Sequence, residues 1–163
     1  MSEAEAFDYT TVERELEKNG VYASVTRGNS MEPLFKTHRD VVIVKRIDCE
    51  LKPYDVALYR GNDGNYILHR VLKVKRDYYV IRGDNTFAKE YVPKCEVVGV
   101  LISFNRKGKE HSVSEFGYKL YSRLWRYIYP IRCIKRFLRR LAGRVYRFFF
   151  PRKRKGVGND RGK

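Results

Sequence analysis

The spacing of apolar residues changes character twice along this chain. Near the start, Phe7, Val12 and Leu16 form a thin apolar stripe that ends at Asn19-Gly20. Thr10 and Glu13 have the spacing of a capping box, so a short helix is expected within residues 1–20, too little for a helix-turn-helix DNA reader. From Val21 to about Phe104, β-branched and aromatic residues come in short runs divided by turn formers. The runs 21–26, 40–46, 55–60, 66–75, 78–82 and 96–104 read as strands. Gly61-Asn62-Asp63-Gly64-Asn65 is a strong hairpin signal, and Lys75-Arg76-Asp77 a tighter turn. After Lys107-Gly108-Lys109 the period lengthens. Leu120, Leu124, Ile128, Ile131, Ile134, Leu138, Leu141 and Val145 recur at steps of three or four, with Arg and Lys on most of the other face. This predicts a basic amphipathic helical tail over 106–150, broken or kinked at Pro130. The Gly-rich end, 151–163, reads as disordered. The expected fold is mainly β: a partly closed sheet over 21–105, preceded by a short helix and followed by the helical tail.

Charge sharpens this division. Residues 1–105 carry 16 Lys+Arg and 16 Asp+Glu, whereas residues 106–163 carry 19 and 3, so the whole +16 sits in the tail. No window of about 20 uncharged residues exists there, which excludes a spanning helix. The tail can dock its apolar stripe on the β-domain, lie in a membrane interface, or track phosphates of a nucleic acid. The membrane reading is favoured, because Trp125, Tyr127, Tyr129, Phe137 and Phe148-Phe149-Phe150 suit the headgroup region and the cations suit anionic lipid. Nucleic acid is disfavoured, since no recognition module is present. Cys49, Cys95 and Cys133 are odd in number and far apart, so free thiols are expected. With His38 and His111 they build no zinc site, and no metal or cofactor is expected. The acidic Met1-Ser2-Glu3-Ala4-Glu5 lacks an apolar core, so no secretory signal is read and a cytoplasmic location is expected.

The candidate chemistry lies in the β-rich part. Gly28-Asn29-Ser30-Met31-Glu32-Pro33 displays a serine at a chain reversal, between a flexible glycine and a stiff proline. Leu68-His69-Arg70-Val71 puts a histidine on a strand, and histidine is the side chain suited to take a hydroxyl proton near neutrality. Gly83-Asp84-Asn85 follows as an acidic turn, and Glu90 lies shortly beyond it.

This ordered trio, with Arg39-Asp40-Val41 and Tyr54-Asp55-Val56, resembles the serine-peptidase clan of type I signal peptidases and LexA-related self-cleaving repressors. The resemblance spans about Val21 to Ile102. It implies a signal-peptidase/LexA-like sheet and a serine endopeptidase of the Ser-His branch, similar to signal peptidases of the endoplasmic reticulum. In that branch Ser30 is the nucleophile, His69 the base, and Glu90 the acid behind it, slightly ahead of Asp84. Asp84 is instead expected to tie its own turn together. Gly28, Asn29 and Met31 would flank the oxyanion and substrate. Gly28 stands where some relatives carry a hydroxyl, leaving backbone N–H groups, Ser30's above all, to hold the oxyanion. Arg39 and Tyr54 replace the usual glycines before Asp-Val, and Glu90 stands where aspartate is commoner.

The expected substrate is an extended peptide cut after small residues, a leader or precursor peptide at the cytosolic membrane face of a bacterial cell. Self-cleavage at Ala142-Gly143 is a minor possibility, disfavoured by Arg140 and a helical setting. The alternative is a catalytically inactive membrane- or nucleic-acid-binding module on the same fold.

Overall fold

The computed structural model describes residues 9–149. Phe7, Phe150 and the basic end 151–163 lie outside the described residues. Helix α1 (Tyr9–Asn19) leads into strands β1 (Val21–Val25), β2 (Val41–Arg46), β3 (Val56–Arg60), β4 (Tyr66–Val74), β5 (Tyr78–Arg82) and β6 (Glu90–Pro93). A 3-10 turn (Lys94–Glu96), β7 (Val97–Arg106) and β8 (Lys109–Ser112) follow, and helix α2 (Phe116–Phe149) ends the described chain. All strand pairs are antiparallel, in the order β1-β2-β7-β3-β4-β5-β6, with β8 paired to β7. The mainly β fold with a helix at each end is therefore as read from the sequence. Among the described residues, β1 pairs with β2 alone and ends the strand path.

The chain forms two compact units, Met1–Arg126 and Tyr127–Lys163. The boundary between these units follows Arg126, within α2. Residues 106–115, expected to be helical, instead turn back at Lys107 (φ 54°) and Gly108 (φ 78°) and pair as β8. Lys-Gly supplies the two left-handed residues such a turn needs, and the charged Lys109-Glu110 hid the strand from pattern reading. The break allowed at Pro130 does not occur: the residue sits inside one continuous helix, where it has no N–H to give to the carbonyl four residues earlier. The capping box is a further correction. The helix already starts at Tyr9, and Glu13 accepts a hydrogen bond from the Tyr66 hydroxyl at 2.6 Å.

Strand β3 lies between β4 and β7 and feeds both faces of the sheet. Val56 and Leu58 point to one side, with Met31, Leu34, Phe35, Val42, Val44 and helix α1's Val12 and Leu16 among their neighbours. Ala57 and Tyr59 point to the other, with Val71, Ile81, Val92 and Val97. Strand alternation separates these two cores. Register shifts at Ile43/Val44, Leu58/Tyr59 and Val71/Lys73 insert bulges, which bend strands and tighten twist. Both cores meet β4, and that strand carries the histidine.

Candidate active site

His69 and Arg70 are consecutive on β4, so alternation sends them to opposite faces. His69 stands across from Ala57 and Arg70 across from Val56. Both are buried. His69 Nδ1 lies 3.0 Å from Glu90 Oε1 and 3.0 Å from the Tyr59 hydroxyl. The Tyr59 hydroxyl in turn donates to Glu90 Oε2. Burial first, and the Glu90 carboxylate second, push the Tyr59 phenol far above its ordinary pKa, so it keeps its proton. That one proton goes to Glu90. Both remaining neighbours of Nδ1 are then acceptors, which assigns the ring hydrogen to Nδ1 and a lone pair to Nε2. Burial holds His69 below the ordinary imidazole range, with Glu90 and Asp84 opposing it. The ring is thus neutral near pH 7. Nε2 is buried and has no hydrogen-bond partner among the described residues.

Ser30 sits, partly exposed, on the loop between β1 and β2. The two ends of that loop are tied together. Thr26 Oγ1 donates to the carbonyl of Lys36 at 2.8 Å, and Asp40, fully buried, accepts from the Lys36 N–H at 2.8 Å and from Arg39 at 2.7 Å. Met31, Leu34 and Phe35 anchor the middle in the core. Gly28 takes φ 77°, and its carbonyl accepts from Thr37 Oγ1; the Glu32-Pro33 peptide is cis. The loop after β5 grips the same segment. The Asn85 N–H donates to the Ser30 carbonyl at 2.7 Å, and Asn85 Nδ2 to the Asn29 carbonyl at 3.1 Å.

Gly83 is where serine loop and histidine meet. A Cβ built there would stand 2.6 Å from the Ser30 carbonyl oxygen and 2.9 Å from His69 Nε2. Only a hydrogen fits between them. The Ser30 hydroxyl itself makes no hydrogen bond to Nε2. Beside the serine opens a cleft of about 310 Å³, between β1 with its following turn and the β3–β4 hairpin. Gly28, Ser30 and Met31 line it, together with Val25 of β1 and Leu68 of β4. Asn29 is not among the lining residues.

Of the two acids weighed from the sequence, Glu90 contacts the imidazole. Asp84, expected to tie its own turn together, directs its carboxylate to a residue of β4. Its two oxygens accept from Arg70 Nε at 2.8 Å and Nη2 at 2.7 Å, a buried bidentate pair. Sequence reading missed Tyr59. Counting back from the Gly61–Asn65 turn finds it: Tyr59 pairs with Ile67, so it is the diagonal neighbour of His69 on the same face. It also missed Arg70 as a structural partner, for which no local signal exists because Asp84 is 14 residues away.

A sequence model of the Peptidase S24-like family matches residues 2–102, the stretch that contains Ser30, His69, Gly83 and Glu90. No curated protein matches the chain. The matched stretch covers more than half of the sequence and ends within β7, so this sheet, with its serine loop and buried histidine, belongs to the Peptidase S24-like family.

Proposed function

We propose that the protein is a serine endopeptidase with Ser30 as nucleophile, His69 as base and then acid, and Glu90 with Tyr59 as the groups that orient the imidazole. One observation carries the reading: a neutral, buried imidazole with Nδ1 occupied and Nε2 unpartnered, across Gly83 from the serine's own backbone. Ser30 Oγ attacks the scissile carbonyl carbon as Nε2 takes the hydroxyl proton, and the Ser30 N–H supports the oxyanion. Collapse of the tetrahedral intermediate breaks the C–N bond, and Nε2 returns the proton to the departing amine. Water, deprotonated by Nε2, then hydrolyses the acyl ester and restores Ser30. Catalytic hydrogen bonds commonly tighten only when substrate is in place, which suits a serine not yet bonded to its base.

The test is a fluorophosphonate probe read by intact mass. It is expected to add once, at Ser30, and not at all to the Ser30→Ala protein. Its rate should follow neutral His69: full above the ordinary imidazole pKa of about 6.5 and lost only as pH falls below it. Folding stability has the same sign, since the unfolded ring takes up a proton before the native one does and stability declines as pH drops through that window. Labelling at another residue, or a midpoint above the ordinary histidine value, overturns the assignment.

The substrate we propose is an extended leader or precursor peptide that adds to the unpaired side of β1 and lays alternate side chains into the cleft. Small residues next to the cut are what the clan resemblance implies. The Ala142-Gly143 bond lies inside α2 and would have to unwind before it could bind this way. We also propose that the segment from Tyr127 onward lies on anionic lipid at the cytosolic membrane face. No described helix is long and apolar enough to cross a membrane. Ile131, Ile134, Phe137 and Leu138 are each more than half exposed, and no acidic residue occurs between Glu115 and Asp160. At about 1 kcal/mol per cation near an anionic surface, several of these charges suffice for retention. The full chain should float with vesicles containing phosphatidylserine or phosphatidylglycerol and stay behind with pure phosphatidylcholine. A salt-steep DNA complex with no lipid binding would reassign the tail to nucleic acid.

A further inference from the structure

The family match stops at residue 102, yet the loop that joins serine to histidine is held from beyond it. Tyr118, Tyr121, Ser122 and Trp125 follow i, i+3, i+4, i+7 spacing, so they share one face of the first turns of α2, within the first compact unit. That face meets the Arg70–Asp84 pair. Trp125 Nε1 donates to the Asp84 carbonyl at 2.8 Å, and the Tyr121 hydroxyl to Asp84 Oδ2 at 3.1 Å. Arg70 Nη1 donates to Ser122 Oγ at 2.9 Å and to the Tyr118 hydroxyl at 3.3 Å. The rings of Tyr118 and Tyr121 lie against the guanidinium, 5.7 and 5.8 Å from its carbon, and Tyr121 stacks on Trp125.

Asp84 is flanked in sequence by the two residues that touch the candidate site: Gly83, wedged between Ser30 and His69, and Asn85, bonded to the carbonyls of Asn29 and Ser30. Arg70 directly follows His69. The helix therefore grips, through main chain and side chain, the residue between those two contacts and the residue next to the imidazole. We infer that the start of α2 is a part of the catalytic apparatus, with Tyr121, Ser122 and Trp125 acting as positioning residues that set the distance between the serine loop and His69. The role assigned to that distance rests on the peptidase reading; the contacts themselves do not.

The full-length Trp125→Phe protein keeps an aromatic ring beside Tyr121 and removes the indole N–H that reaches the Asp84 carbonyl. Expected are a fall of at least about tenfold in kcat on a peptide substrate with KM within about twofold, because misplacement of about an ångström is costly only at the reacting atoms. Expected with it is a displaced His69 ring signal and titration midpoint in spectra of the isotope-labelled histidines. Lys119→Ala, on an exposed position of the same turns, should change neither. A folded Trp125→Phe protein with unchanged kcat and an unchanged His69 signal, whatever its Tm, overturns the inference. Should that variant not fold, Tyr121→Phe, which removes one oxygen, carries the same readouts, and unchanged values there overturn the inference equally. The ring signal needs no turnover, so a parent protein without peptidase activity would sink the function proposed above while this inference is still decided by His69.

Discussion

Alanine at Ser30 is expected to lower peptide hydrolysis by about six orders of magnitude, the scale at which removal of a serine nucleophile acts in such enzymes. Its Tm should stay within about 2 °C of the parent, because the contacts that fix this residue use its backbone. Those are the Asn85 N–H on its carbonyl and the Gly83 main chain against that same oxygen, both untouched by the substitution. Replacing His69 by alanine should cost as much in rate but also some stability. It empties a buried site and leaves the Tyr59–Glu90 hydrogen bond without its third member. The Ser30→Ala/His69→Ala double variant is expected to be no slower than either single one, since groups that act as a unit are not additive. Hydrolysis by purified Ser30→Ala at anything near the parent rate would remove this serine from the chemistry.

The second large effect concerns stability. Asp84→Ala is expected to cost about 3–5 kcal/mol, because it strands a buried guanidinium whose carboxylate partner lies at 2.7 Å. In a chain of this size that lowers Tm by about 10 °C or more. Hydrogen bonds from Arg70 to the Tyr54 carbonyl, Ser122 and Tyr118 remain, but they supply no opposing charge. The paired apolar replacement, Arg70→Met with Asp84→Leu, should recover much of the lost stability, as buried ion pairs often can be replaced without loss. It should not recover hydrolysis if the loop carrying Gly83 has shifted. Thermal denaturation followed by circular dichroism separates these outcomes, and an Asp84→Ala protein that melts with the parent would show that the pair is not what holds the loop.

Sequence and structure agree where the residues themselves impose the geometry. The run 78–82 is a strand to the residue, and the Gly61–Asn65 turn joins β3 to β4 as its glycines and asparagines require. The ordering of Ser30, His69 and Glu90 was legible because short local contexts carry it. What escaped notice depends on partners distant in sequence. Strand β6 is four residues long, with exposed Tyr91 and a proline at its end, so it carries no alternating signature of its own; pairing with β5 creates it. Strand β8 exists because β7 is longer than β3 and leaves residues 103–106 to be paired. The duties of Tyr118, Ser122 and Trp125 were equally invisible. At helical spacing nothing local marks them for a polar task; Arg70 supplies it for Tyr118 and Ser122, and the Asp84 carbonyl for Trp125, all some forty to fifty residues earlier.

Strand β1 uses one side of its backbone for β2 and borders the cleft with the rest. A guest added there, as proposed above, would be recognised first by amide and carbonyl groups that every peptide owns, which gives discrimination a two-residue beat. Alternate side chains are read and those between them are ignored. A proline falling on a bonded beat has no N–H to offer and is refused, however well the neighbours fit. Selectivity of that kind is set by where imino acids and bulky groups fall in phase, more than by any single preferred residue.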